Sequence, residues 1–276
     1  MKIAIVTDST SDISSQLAYD HNIHVVPAVL VMNGRSLEDG HGISREEFYR
    51  QLPLMKTLPT TASPASGTFQ HLYESLFKQG FDHIISIHVS SLLSGIYNAV
   101  VVAAKAFGKR VFVVDSGQVT MGLGFQVLAA AEAVKAGHTI EEIMNVIEQM
   151  RARIHLIAML DTLEYVRRSG RVSWARYGLG TLLQIKSFVG VKDGAVIGLG
   201  KSGTRGKGIE RLYEMLSELG PLERLAILHT NAEADAIRMV EHFKTLVSPV
   251  PLIINVTSII GTHVGPNGLG FVAVTE

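Results

Sequence analysis

Cysteine is absent from this 276-residue chain, which removes disulfides, thiol nucleophiles and thiolate metal sites together. An excess of either charge is missing too. Lys plus Arg number 25 against 25 Asp plus Glu, so neither nucleic acid nor an anionic membrane surface is indicated as a partner. No apolar run approaches the length of a bilayer span, so no stable membrane insertion is expected. The opening MKIAIVTDS passes straight into a strand pattern without a signal peptide's apolar region and cleavage site, and a cytoplasmic protein is expected. No two histidines share a helix at ligand spacing near a carboxylate, and GTRGKG lacks the P-loop pattern, so neither a metal nor another cofactor is expected. Internal repeats and low-complexity segments are absent as well.

What is present is an alternation of short apolar strands with amphipathic helices, the pattern of a mostly parallel, helix-covered sheet. Ile3–Val6 is a β-branched run ending in TDSTSD, where Ser11 or Asp12 is expected to cap a helix reaching about Tyr19. Ile23–Met32 reads as a second strand, with Pro27 marking an edge or a bulge, and Asn33-Gly34 as a turn. Ser44 and Glu47 form a capping-box pattern opening a helix to about Leu52. After the break KTLPTTASPASG, helical spacing of Phe69, Leu72, Tyr73, Leu76 and Phe77 predicts a helix over 68–78. A buried strand, Ile84–Val89, then runs through a serine-rich loop into a helix over 94–107. A strand over 110–114 and helices over 122–135 and 139–151 follow. From Ile154 the texture changes: strand HLIAML, a short helix over 163–168, and two strands over 184–200 joined by Asp193-Gly194, the strongest hairpin signal in the chain. Antiparallel pairing enters here, so the expected domains are 1–153 and 154–276. The second closes with helices over 208–219 and 232–246 and strands over 225–229, 251–256 and 269–274.

Two stretches carry candidate chemistry. In HVSSLLSGIY, Ser90, Ser91 and Ser94 precede a helix whose N-terminus favours an anion, at a strand end where open α/β sheets place ligands; alternatively the serines simply cap the helix. The glycine-rich stretch Ile259–Gly270, IIGTHVGPNGLG, is expected to be a loop that wraps a ligand and points His263 at it, or else a tight inter-strand connection. Arg171 and Arg205 lie in glycine- and serine-rich loops and are either anion-binding forks or solvated cations. Ser94, His263 and Asp8 would make a hydrolytic triad, but LLSGI lacks the G-x-S-x-G elbow.

Read together, the segments resemble the DegV family, the fatty-acid-binding proteins of bacterial fatty acid kinase systems. The segments are TDSTSD, TASP (Thr61–Pro64), SSLLSGIYNA (Ser90–Ala99), VVDSGQVTMGLG (Val113–Gly124), LEYVRRSGRVS (Leu163–Ser173) and GTHVGPNGLG (Gly261–Gly270). Each is weak alone; six in the family's order are specific. The resemblance implies two α/β domains, the first with a mostly parallel sheet and the second with a mixed one, and an acyl chain buried between them. It implies that Thr61, Ser94 and His263 hold the fatty-acid carboxylate, with Arg171 and Arg205 near the ligand mouth or the kinase. The protein would then be no enzyme but a carrier that presents a long-chain fatty acid to a separate ATP-using fatty acid kinase for acyl-phosphate formation, in the service of phospholipid synthesis. Leu92, Leu93, Ile96, Met121, Leu123, Phe125 and Leu269 flank the polar positions and are candidates for an acyl tunnel, or else ordinary core.

Three positions depart from the family pattern: Ala62 where serine is common, Ile96 where threonine is common, and Asn267 in a motif that usually reads G-P-G. All three carboxylate-binding positions survive. The rival readings are a serine-dependent hydrolase or acyltransferase using Ser94 and His263, and a module that binds a phosphate ester at the serine-rich helix start.

Overall fold

The computed structural model describes residues 1–172 and 185–276. Ser173 of the LEYVRRSGRVS segment and Gln184 at the start of the expected hairpin lie outside them. The chain divides into two compact units. One comprises Met1–Leu30 and Thr61–Ala152; the other comprises Val31–Thr60 and Arg153–Glu276. The change at 152/153 adjoins the boundary read from the sequence, and the excursion Val31–Thr60 is additional to it.

The first unit opens with β1 (Ile3–Asp8), whose six residues are all buried, then a single 3-10 turn and α1 (Ser15–Asp20). The helix cap is Ser14, whose Oγ accepts from Leu17 N at 3.2 Å, and not Ser11 or Asp12. Asp12 instead takes a left-handed conformation that closes the 3-10 turn. β2 (Ile23–Val26) and β3 (Val29–Met32) replace the single expected strand. The break falls at Pro27-Ala28, because proline supplies no ladder N–H.

In the excursion, Asn33 and Gly34 both have positive φ and turn β3 into β4 (Arg35–Glu38). Ser44 caps α2 (Arg45–Gln51) by accepting from Glu47 N at 3.1 Å, as the capping box predicts. The chain returns through β5 (Thr60–Ala62), and β4, β3 and β5 form a small sheet in the order β4-β3-β5.

The first unit then continues with α3 (Ser66–Lys78), β6 (His83–His88), α4 (Ile96–Ala104), β7 (Val111–Asp115), α5 (Met121–Lys135) and α6 (Ile140–Ala152). Its sheet has the order β2-β1-β6-β7 and is parallel throughout. From β1 the chain moves outward to β2 and later returns to β6 on the other side. The order therefore reverses between β1 and β6, the point at which such sheets bind ligands beyond the strands' carboxyl ends.

The second unit contains β8 (Ile154–Leu160), α7 (Glu164–Ser169), β9 (Lys186–Lys192), β10 (Ala195–Ser202), α8 (Arg205–Ser217), β11 (Leu222–His229), α9 (Glu233–Phe243), β12 (Leu252–Asn255), α10 (Ser258–Val264) and β13 (Leu269–Thr275). Its sheet runs β10-β9-β8-β13-β11-β12, with only β11 and β12 parallel among these pairs. Asp193 and Gly194 both take positive φ in the β9–β10 hairpin. Leu212 and Leu216 of α8 and Met239, Val240 and Phe243 of α9 pack with Phe271 and Ala273 of β13 in the main core. The stretch Ile259–Gly270 is not one loop: it begins inside α10 and ends inside β13. Its glycines suppressed the helical reading, because Gly is about 1 kcal/mol worse than Ala inside a helix.

Candidate functional site

At the reversal point of the first sheet, Asp8 ends β1 and His88 ends β6. Their side chains meet: His88 Nδ1 lies 2.9 Å from Asp8 Oδ2, both fully buried. Asp8 also accepts from Thr10 N (3.0 Å), Thr10 Oγ1 (2.5 Å) and Val89 N (3.3 Å). On the far side of the ring, His88 Nε2 is 2.7 Å from Ser86 Oγ, which is 2.7 Å from Tyr73 Oη. Burial pushes the Tyr73 phenol up to about 12, only partly offset by its Ser86 bond, so it keeps its proton. Tyr73 therefore donates to Ser86, Ser86 to His88, and His88 to Asp8, a consistent direction for every proton in the chain. Asp8 is engaged by partners of its own unit. The triad of Ser94, His263 and Asp8 that a hydrolase reading assembles thereby loses its acid.

The loop after β6 is shaped by its serines. Ser90 Oγ accepts from Leu92 N at 3.2 Å, and Ser94 Oγ from Ile96 N at 3.3 Å. Asp115, at the end of β7, accepts from Ser91 N at 3.2 Å and Gly117 N at 2.9 Å. Gly95 is the N-cap of α4 and supplies no side-chain bond. Ser94 thus supports the helix start as an acceptor and keeps its hydroxyl proton to donate.

The Thr61 segment lies alongside. A Cβ on Gly95 would sit 3.1 Å from Ser63 Oγ, which brings the TASP stretch against the Ser94–Gly95 turn within the first unit. Exposure alternates along it, Thr61 and Ser63 being half-buried and Ala62 exposed. In extended backbone that alternation places Thr61 and Ser63 on one face and Ala62 on the other. The missing hydroxyl at Ala62 is therefore lost from the outward face. Ser63 was not singled out from the sequence; the period-two pattern through Thr61 is the signal that would have found it.

Of the apolar candidates in this unit, Ile96, Met121, Leu123 and Phe125 are buried, Leu93 is half-buried and Leu92 is exposed.

The second unit holds His263, Arg171, Arg205 and Leu269. His263 lies in the last turn of α10, half-buried. Burial, with a smaller contribution from the Arg171 charge, brings its pKa down from 6.5 to about 4. At neutral pH it is therefore an uncharged imidazole. Arg171 is exposed and donates to Ser169 O at 2.6 Å.

Arg205 is not a solvated cation. Its guanidinium grips Asp235 Oδ2 through Nε (3.0 Å) and Nη2 (2.5 Å), lies 3.5 Å from Asp161 Oδ1, and donates to Asn267 O at 2.6 Å. Burial raises the Asp235 carboxyl, but the bonds and charges of Arg205 and Arg238 outweigh it and hold it below its usual value. Leu269 packs in the main core of this unit with Met159 and Phe271.

Two glycines of the last stretch meet aromatic side chains: a Cβ would lie 2.4 Å from Tyr49 Oη at Gly261 and 2.3 Å from Tyr165 Cδ2 at Gly265. Asn267 takes a positive φ of 61°, a conformation asparagine tolerates where most residues do not. Among the described residues no cluster of His, Asp and Glu is placed to hold a metal ion, and no helix is long and apolar enough to cross a membrane.

The first unit is thus a parallel α/β sheet with polar loops at its reversal point, and the second a mixed α/β sheet. The family model described as "Uncharacterised protein, DegV family" matches residues 2–276. A DegV domain-containing protein of Streptomyces coelicolor is 34% identical over 274 residues, covering 98% of this chain and 97% of that one. Two solved structures are similar over the whole of both chains. One, DegV of Bacillus subtilis, described as a fatty acid binding protein, is 32% identical with a TM-score of 0.89. The other, a DegV family protein of Thermus thermophilus described by its fatty acid binding, is 28% identical with a TM-score of 0.93. This chain belongs to the DegV family.

Proposed function

We propose that this protein is a cytoplasmic, non-enzymatic carrier of a long-chain fatty acid, whose carboxylate is taken by Thr61, Ser94 and His263 and presented to a separate ATP-using kinase. The observation that carries the reading is Ser94. It stands at the reversal point of a parallel sheet, is bound as an acceptor by Ile96 N and so has its proton to give, and lies beside the face that bears Thr61 and Ser63. The fatty-acid-binding relatives of the same family and fold support it.

The physics divides the task. Each buried methylene contributes about 0.8 kcal/mol, so a chain of about sixteen carbons offers on the order of 10 kcal/mol before association costs. A hydrogen bond to an ion nets about 1.5–3 kcal/mol, so the head group's partners serve orientation and prevent an unsatisfied buried carboxylate. Two hydroxyls and a neutral imidazole do this without a fixed ion pair, and that leaves the carboxylate oxygen nucleophilic toward ATP. Leu93, Ile96, Met121, Leu123 and Phe125 are proposed to contribute apolar surface to the tail. Arg171, near His263, supplies the positive charge that a transferred phosphoryl group would need, and presentation to the kinase is inferred from the family resemblance. Arg205 is proposed to act through Asn267, by holding the turn that follows α10.

The test is native mass spectrometry of the purified protein with identification of any lipid released. A stoichiometric free fatty acid is expected, and Ser94→Ala is expected to weaken rebinding about tenfold. A protein that is empty and refuses added fatty acid would refute the carrier reading.

A further inference from the structure

Helix α10 is seven residues long, too short to hold itself in water. Its place in the second unit is set by its neighbours, and four residues of the excursion Val31–Thr60 hold it and the strand end before it. Asp39, 7% exposed, accepts from Thr257 Oγ1 at 2.5 Å and Ser258 Oγ at 3.0 Å, the N-cap and first residue of the helix. A carboxylate there also faces the favourable end of the helix dipole. Tyr49 donates its hydroxyl to Val256 O at 2.7 Å. Its ring closes on Gly261, where a Cβ would lie 2.6 Å from Cε1 and 2.7 Å from Cζ. Arg45 donates to Asn255 O, and Asn255 Nδ2 donates to Glu46 Oε1 at 3.1 Å. From α7, Tyr165 fills the corresponding notch at Gly265. Gly261 lies within the helix, and Gly265 is its C-cap, with a φ of 80° and a ψ of 178°. His263, two residues on from Gly261, is carried on the opposite side of the helix from it.

We propose that Asp39 and Tyr49 are positioning residues for His263. The excursion acts as a clamp that fixes the start and the rotation of α10, and through them the direction of the imidazole, so that the site selects a carboxylate head group and not merely an acyl chain. This rests on the carrier reading above. The tail contributes the same affinity whether it ends in an acid or an alcohol, so discrimination between the two belongs to the head-group partners alone. A clamp that only stabilised the second unit would lower the unfolding midpoint and leave that discrimination intact.

The experiment measures Kd for palmitate and for the alcohol of the same chain length, in wild type, Tyr49→Phe, Asp39→Ala and Asp39→Asn. Alongside, the ring resonances of His263 are followed in histidine-labelled, ligand-free protein and assigned by their loss in His263→Gln. Tyr49→Phe and Asp39→Ala are expected to lower the acid-over-alcohol preference about fivefold to tenfold. Alcohol affinity should stay unchanged, and the His263 resonance should move toward that of a solvated histidine. Asp39→Asn, which keeps a carbonyl acceptor for one of the two hydroxyls and turns an amide donor toward the other, should recover part of the preference. A wild-type preference and an unmoved His263 resonance in folded variants would overturn the proposal, however much stability they had lost. Should Asp39→Ala not fold, Tyr49→Phe decides, since it removes one hydroxyl and keeps the ring. Should wild type show no preference for the acid, the carrier reading fails instead. The ligand-free resonance in Tyr49→Phe then still judges the clamp.

Discussion

Acidification tests His263 most directly. Its folded pKa is about 4 against an ordinary 6.5, so as pH falls the unfolded chain takes up the proton first. The contribution is complete above pH 6.5 and is lost progressively as pH falls toward about 4. At about 1.4 kcal/mol per pH unit, the gap between the two values amounts to about 3 kcal/mol of stability withdrawn over that window. His24, His155 and His229 are also lowered by burial, so the wild-type slope includes them, and the comparison with His263→Gln isolates the one residue. The assay is urea unfolding of both proteins from pH 7 down to about 4.5, with the imidazole titrated in parallel by NMR. The wild type should lose about 2–3 kcal/mol more than the variant. A bound carboxylate would favour the imidazolium, so saturating fatty acid should shrink the difference. Parallel curves for the two ligand-free proteins, or a His263 titration near 6.5, would refute the assignment of a buried, neutral imidazole.

Gly265→Ala places a Cβ at a φ of +80° and 2.3 Å from Tyr165 Cδ2. Strain of about 1–3 kcal/mol and overpacking of about 1–3 kcal/mol should together show as a large drop in urea midpoint, and a midpoint within error of wild type would contradict the notch. Asp8→Asn turns an amide toward one of the four donors that converge on Asp8, and should cost about 3 kcal/mol by thermal unfolding, with no loss meaning that the network is not as described. Ala62→Ser restores the family's commoner residue on the outward face and should alter fatty-acid affinity less than twofold, against about tenfold for Ser94→Ala. A large gain would place residue 62 in the site.

The period of the apolar residues was enough to read both sheets. Continuous runs such as IAIV and HIISIH can be buried on both faces only in a parallel, helix-covered sheet, and Asp193-Gly194 demands the left-handed turn that pairs β9 with β10. Capping was legible where one side chain answers one N–H locally, as at Ser44 and Glu47. It failed at Ser11 and Asp12, because a 3-10 turn after β1 moved the helix start to Ser14. Ser94, Thr61 and His263 were singled out because their residue types and motif order resemble a family, and their role is a proposal. What Asp8 does was not legible, since its partner His88 lies 80 residues away and only the pairing of β1 with β6 brings them together. The glycines after Ile259 looked like freedom for a ligand-wrapping loop. Gly261 and Gly265 are vacancies for Tyr49 and Tyr165, which no local pattern can show, because a missing Cβ does not name the side chain that fills its space. Composition and periodicity, being local, determined the classes of the two sheets, and motif order resembling a family supplied the candidate polar residues; the tertiary structure decided which of those residues are engaged by other parts of the chain and which keep a proton to offer.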